Sequence, residues 1–221
     1  AAGKGTRMRP LTHITPKPLV KMNGKPILEY ILSNLPQGVN EAVLVIGYLG
    51  EQIENYFGGH FGAVRLTYVK QLEQLGTFHA LLQAKPVLAG EFLVLMGDDL
   101  YSKADLTRLV QRPLSILVHR ASGPSEKFGV CLIDKKGFLQ DIREKEKGLE
   151  FSFAGCGAYK LNHGIFNEEI FYGPTGEQYL SSMVGSLARK EPIQAVKATY
   201  WFPIANPSDL VEAAKLAVAN F

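Results

Sequence analysis

The sequence predicts an α/β protein, doubly wound around a largely parallel sheet. Three observations point there. Apolar runs alternate with amphipathic stretches through the first half of the chain. One run, Val43 to Tyr48, is continuously apolar, as a strand covered on both faces requires. After about Gly129 the pattern changes to strands separated by turns such as Lys135-Lys136-Gly137.

The elements follow in order. Pro26 to Leu35 sets Ile27, Tyr30, Ile31, Asn34 and Leu35 at helical spacing, with proline near the first turn. After the strand at Val43 to Tyr48, Glu51 to Phe57 reads as a short helix and Val64 to Val69 as a strand. Thr77 to Lys85 is helical, Phe92 to Met96 a buried strand, Lys103 to Val110 helical and Leu114 to His119 a strand. Val130 to Ile133, Leu139 to Glu144 and Phe151 to Tyr159 read as strands. Helices are expected at His163 to Phe171, Gln178 to Arg189 and Ser208 to Ala219.

At 221 residues and 46% hydrophobic, the chain can bury one full core, so a single domain over 1–221 is expected. The net charge of +3 suits anionic small molecules and is too weak and scattered for nucleic acid. No apolar run nears the roughly eighteen residues of a membrane span. Cys131 and Cys156 lack metal spacing and read as two buried thiols of a reduced, cytoplasmic protein.

The chemistry is concentrated in three places. Ala1-Ala-Gly-Lys-Gly-Thr-Arg-Met-Arg, with Pro16-Lys17-Pro18 and Gly24-Lys25-Pro26 behind it, forms a backbone-and-cation cradle for a polyphosphate. Arg7 offers a forked donor and Lys17 a mobile point charge. The order is neither a dinucleotide fingerprint nor a P-loop. A loop of this kind hangs from a buried strand, which is expected upstream of residue 1. Second, Gln71 to Thr77 links a strand to a helix; Gln71 can donate and accept in one plane, and Gly76 admits a flat ring. His79, on the helix that follows, reads as a packed or surface histidine. Third, Phe92 to Asp99 ends an apolar run in Gly-Asp-Asp, at the carboxyl end of a strand where α/β sheets bind ligands. One carboxylate with phosphate oxygens suffices for magnesium, and Asp99 reads as a turn or capping residue.

The opening Gly-x-Gly-Thr-Arg, with Pro-Lys and Lys-Pro following, resembles the signature of the sugar-1-phosphate nucleotidyltransferase (nucleotide-diphospho-sugar pyrophosphorylase) family. The resemblance extends over most of the chain. It implies a three-layer, Rossmann-like fold with a mostly parallel mixed sheet. A nucleotide-binding part would cover about 1–120 and a sugar-phosphate part about 121–221. Gln-x-Glu-Gln-Leu-Gly-Thr-x-His-Ala is similar to the base-recognition segment of bacterial uridylyltransferases, so UTP is favoured and dTTP follows.

By that resemblance Arg7 and Lys17 are catalytic, and Ala2, Gly3, Gly5, Thr6, Gln71, Gly76 and Thr77 bind the nucleotide. Gly129, Glu144, Lys145 and Gly157 bind the sugar phosphate, and Asp98 holds Mg2+. The implied activity joins a nucleoside triphosphate to a sugar 1-phosphate and releases pyrophosphate. No nucleic-acid or membrane partner is implied, and a homo-oligomer is allowed.

Two departures stand out. Gly155 replaces the asparagine usual in N-acetylglucosamine enzymes, and Pro203 stands where the family commonly has a second metal aspartate. Metal binding then rests on Asp98 alone, or the site is impaired. Asn206 is a neighbouring oxygen donor, and Asp209 reads as a first-turn residue favourable to the helix dipole. The rival readings are a cytidylyltransferase of the phosphocholine type and a catalytically weak, nucleotide-sugar-binding regulatory member.

Overall fold

The computed structural model describes residues 1–173 and 176–220. In chain order its elements are β1 (Lys21–Met22), β2 (Lys25–Pro26), α1 (Ile27–Ser33), β3 (Glu41–Ile46), α2 (Gly50–Phe57), β4 (His60–Phe61) and β5 (Val64–Lys70). Then come α3 (Thr77–Ala84), β6 (Phe92–Val94), β7 (Asp99–Tyr101), α4 (Lys103–Val110), β8 (Ser115–Arg120), β9 (Gly129–Ile133) and β10 (Phe138–Glu144). The rest are β11 (Phe153–Leu161), α5 (Leu180–Ala188), β12 (Ile193–Lys197), β13 (Trp201–Pro203) and α6 (Pro207–Asn220). The chain divides into two compact units. One comprises Ala1–Gln74, Met96–Ala104 and the residues from Tyr200 onward; the other comprises Leu75–Leu95 and Asp105–Thr199.

In the first unit β3 and β5 pair in parallel, Glu41 opposite Arg65 through Ile46 opposite Lys70, with α2 as the crossover. Leu44 and Ile46 are buried while Val43 and Val45 are only half-buried, so the run is covered chiefly on one face rather than on both. Helix α1 buries Ile27, Leu28, Ile31 and Leu32; of the expected stripe only Ile27 and Ile31 are buried, and Tyr30, Asn34 and Leu35 are half-buried, so the buried face is turned toward Leu28 and Leu32. β7 pairs antiparallel with β13, which places Pro203 directly opposite Asp99. Asp99 is thus a buried strand residue and not a turn or cap. Helix α6 opens with a reciprocal cap. Asn206 Oδ1 accepts from Asp209 N–H at 3.1 Å, and Asp209 Oδ2 accepts from Asn206 N–H at 3.0 Å. Asn206 is therefore a capping residue with its side-chain oxygen engaged.

The second unit is built on a six-stranded sheet in the order β6-β11-β8-β12-β10-β9, and β9 also touches β11 through Val130 opposite Ala154. Its core includes Ile116, Leu117, Val118, Val130, Ala154 and Leu161, all fully buried. Helix α5 buries Met183, Val184 and Leu187 and packs against β10. β8 and β12 run parallel, and the other pairings of this sheet are antiparallel. Antiparallel pairing carries more of the sheet than the β–α alternation suggested, because turn-linked strands such as β9 and β10 pair that way. Their turn is the expected one, closed by Gly137 N–H on the Asp134 carbonyl at 3.0 Å.

Several expectations need correction. The helix expected over His163 to Phe171 is a short 3-10 segment, His163–Asn167, capped by Asn162 and ended by extended backbone at Glu168. The buried strand expected over Phe92 to Met96 spans only Phe92–Val94 and is half-buried. Strands β12 and β13 were not anticipated. Both cysteines are buried thiols outside any disulfide.

Candidate active site

The opening loop winds through 3-10 turns at Thr6–Met8, Leu11–His13 and Lys17–Leu19. Gly5 sits in the left-handed region at φ 58 and ψ 38, immediately before the first of these turns. A Cβ there would meet Thr12 Cγ2 at 3.1 Å and Lys17 Cβ at 3.2 Å, so both conformation and space favour glycine. The Gly5 carbonyl accepts from Met8 N–H at 2.8 Å and from Thr12 Oγ1 at 2.7 Å. Among the described residues, the backbone N–H groups of Gly3, Lys4, Gly5, Thr6 and Arg7 donate to no acceptor. A left-handed residue followed by a helical turn, with free N–H groups, is the backbone geometry of an anion nest.

The cations flank this nest differently. Arg7 is exposed, with no ion pair among the described residues. Lys17 is buried, and its Nζ lies 2.5 Å from Asp98 Oδ2, an ion pair whose carboxylate is 40% exposed. Gln71 is buried, its N–H bonded to the Ile46 carbonyl at 2.8 Å, and it lines an open cleft of about 530 Å³ with Gly47, Tyr48, Lys70 and Gln74. Ala2, Gly3, Gly5, Thr6, Arg7, Lys17, Gln71 and Asp98 thus all belong to the first unit.

Gly76, Thr77, Gly129, Glu144, Lys145 and Gly157 all belong to the second unit. Gly76, at φ 108, packs on the backbone of Gln178; a Cβ would lie 2.5 Å from the Gln178 carbonyl oxygen. The glycine is therefore demanded by chain packing, whatever ring approaches it. Thr77 Oγ1 accepts from Leu180 N–H at 2.9 Å, and so joins the starts of α3 and α5. His79, on α3, lies 3.2 Å from Gln83 and is half-buried, as expected of a packed histidine.

Gly129 and Glu144 face each other across β9 and β10. Glu144 Oε2 accepts from Ser181 Oγ at 2.6 Å. Lys145 adopts a left-handed φ of 54, and its Nζ donates to Tyr179 Oη at 3.0 Å, while Tyr179 Oη donates to Glu177 Oε2 at 2.9 Å. Burial opposes the Lys145 charge, but the Tyr179 hydrogen bond and the Tyr179, Glu144 and Glu177 charges outweigh it, holding the ammonium above its ordinary value. Gly157, at φ 69, lies in the irregular stretch of β11 between Gly155 and Tyr159. Tyr179 and Ser181 were missed. The sequence reading treated their segment only as a helix start, although a polar run after glycine was the available signal.

A Nucleotidyl transferase family model matches residues 1–219. The chain belongs to the nucleotidyl transferase family. Bifunctional protein GlmU of Methanocaldococcus jannaschii is 32% identical over 217 residues, covering 97% of this chain and 52% of that protein. The chain therefore spans about half the length of that relative. UTP–glucose-1-phosphate uridylyltransferase AglF of Haloferax volcanii is 32% identical over 225 residues, covering 96% of this chain and 92% of AglF. A crystal structure of UDP-glucose pyrophosphorylase complexed with UDP-glucose superposes with a TM-score of 0.87 at 21% identity, covering 100% of this chain and 97% of that one. It shares the mixed α/β fold. No described helix is long and apolar enough to cross a membrane.

Around Asp98 the contacts come from strand β13 and the residue after it. Ile204 N–H donates to the Asp98 carbonyl at 3.1 Å, and Pro203, opposite Asp99, offers no side-chain ligand. Asp99 Oδ2 accepts from Trp201 Nε1 at 2.9 Å. Burial, then the Asp98 charge, pushes the Asp99 carboxyl up to about 8 against the Trp201, Lys17 and Tyr101 contributions, from an ordinary value of 3.8. The folded state thus keeps a proton that the unfolded chain releases between those values. The stabilisation is complete below about pH 4 and is lost as pH rises through about 8. In metal-free protein, Asp99→Asn should flatten the fall in urea-unfolding stability between about pH 5 and 8. A wild-type profile no steeper than the variant's would contradict this.

Proposed function

We propose that this nucleotidyl transferase joins UTP, with dTTP next in order, to a sugar 1-phosphate, giving a nucleotide-sugar and pyrophosphate. The observation that carries the reading is the run of N–H groups from Gly3 to Arg7 with no acceptor among the described residues, set beside the Lys17–Asp98 pair. Five free donors and two cations suit the triphosphate of a nucleotide better than a single phosphate. AglF supports the uridylyl reading, since nearly all of that protein is covered. Glucose 1-phosphate leads among the sugars, because Gly155 lacks the amide that would meet an acetamido group.

Each residue has a task in this reading. Arg7 holds the β- and γ-phosphates, and Lys17 follows the α-phosphate as its charge redistributes. Gln71 reads the pyrimidine edge, with Gly76 and Thr77 shaping the adjoining segment. Glu144 takes sugar hydroxyls, and Lys145 steadies the attacking phosphate with an ammonium that Tyr179 Oη orients. The attacking oxygen is already ionised near neutral pH, so positioning and charge neutralisation replace a general base. Asp98 fits Mg2+, because its half-exposed carboxylate already takes a cation, the Lys17 ammonium. Bound Mg2+ would supply charge neutralisation on phosphate oxygens. The two buried cysteines, neither in a disulfide, support a reducing, cytoplasmic setting.

Pyrophosphate release measured over UTP, dTTP and CTP, each against glucose 1-phosphate, N-acetylglucosamine 1-phosphate and phosphocholine, tests the reading. UTP with glucose 1-phosphate should give the highest kcat/KM. Turnover confined to CTP with phosphocholine would replace the assignment, and nucleotide-sugar binding without turnover would favour the regulatory reading that Pro203 allows.

A further inference from the structure

We propose that Gln74 is a positioning residue for the triphosphate loop, setting the Gly3 N–H through the carbonyl of Ala2. The inference rests on the reading of residues 3–7 as a triphosphate cradle. Gln74 Nε2 donates to the Ala2 carbonyl at 3.0 Å, and Tyr48 N–H donates to the same oxygen at 3.1 Å. Ala2 is buried, and its backbone is pressed close to Gly47. A Cβ on Gly47 would lie 2.7 Å from the Ala2 oxygen and 3.0 Å from the Ala2 Cβ. The carbonyl is therefore gripped on its inner side by a backbone amide and a side-chain amide.

That grip has a consequence one atom further along the chain. In a planar trans peptide the C=O and the following N–H point in opposite directions. Fixing the Ala2 oxygen toward Tyr48 and Gln74 turns the Gly3 N–H the other way, where it has no acceptor among the described residues. On the Gly3 side no hydrogen bond among the described residues restrains that peptide plane. A Cβ on Gly3 would find no atom within 4 Å, and glycine itself imposes little on φ and ψ. With Tyr48 alone, a single hydrogen bond and the packing against Gly47 would orient the carbonyl next to a glycine. Gln74 supplies the second, and it comes from the base-reading segment. The amide that orients the first donor of the cradle is thus carried by the loop that recognises the base.

Gln74→Met keeps the side chain's length and removes its donor. Gln74 is exposed, so the thermal midpoint should stay within about 2 °C of wild type. Affinities for UTP, inorganic tripolyphosphate and uridine, measured by competition on the full chain, separate the alternatives. UTP and tripolyphosphate should both weaken by the same factor, about five- to tenfold, as one lost hydrogen bond implies, while uridine is unchanged. Unchanged tripolyphosphate affinity would overturn the proposal. So would a loss confined to uridine and UTP, which would make Gln74 a direct base reader. A matching drop in thermal midpoint would also overturn it, by reducing the residue to a structural role. Wild-type protein that binds neither UTP nor tripolyphosphate would instead remove the cradle reading itself.

Discussion

Replacing Lys17 by alanine is expected to lower kcat for nucleotidyl transfer by about a thousandfold while the chain still folds. Lys17 is the buried cation of the opening segment, and no other lysine or arginine pairs with Asp98 among the described residues. Losing one preorganised charge aimed at a transition state costs on the order of 10² to 10³ in rate. The structural cost is smaller, because the Asp98 carboxylate left behind is 40% exposed and can be hydrated. Circular dichroism and the thermal midpoint should stay close to wild type. Lys17→Arg should not restore the rate, since a planar fork cannot occupy a buried point-charge position in the same way. Turnover within tenfold of wild type in Lys17→Ala would remove Lys17 from the chemistry.

Asp98→Asn should produce the second large loss, about a hundredfold or more in kcat, with the Mg2+ concentration for half-maximal activity rising at least about tenfold. Asparagine keeps an oxygen for Lys17 but surrenders the charge that favours a divalent cation. A second carboxylate at position 203 would soften this loss, and this chain has proline there. Asp99 is a poor substitute, since it is buried, held by Trp201 Nε1 and has its carboxyl pushed well above the ordinary value by burial. Direct titration of nucleotide-free protein with Mn2+ supplies a readout independent of turnover. Equal Mn2+ affinity in wild type and variant would place the metal elsewhere.

The fold was legible where the local signal was strong. The helix over Lys103–Val110 lies where its periodicity put it, and the β3–α2–β5 crossover follows from two apolar runs flanking an amphipathic stretch. His163–Asn167 escaped because Asn162 and Glu168 end the segment before an α-helix can propagate. β12 and β13 escaped because they are short and stabilised by distant partners, Ser115 to Val118 for one and Asp99 to Tyr101 for the other. At the candidate site, residue types at fixed spacing singled out the glycine loop, Lys17 and Asp98 as candidates, and the structure pairs the last two. The burial of Asp99, the Tyr179–Lys145 contact and the Gln74 tether are long-range contacts that no spacing records.

The most direct measurement is a phosphorus NMR time course of the protein with UTP, glucose 1-phosphate and Mg2+. Nucleotidyl transfer predicts equimolar growth of pyrophosphate and of the paired diphosphate resonances of a nucleotide-sugar, as UTP and the sugar phosphate disappear together. Release of inorganic phosphate from UTP with glucose 1-phosphate untouched would contradict it.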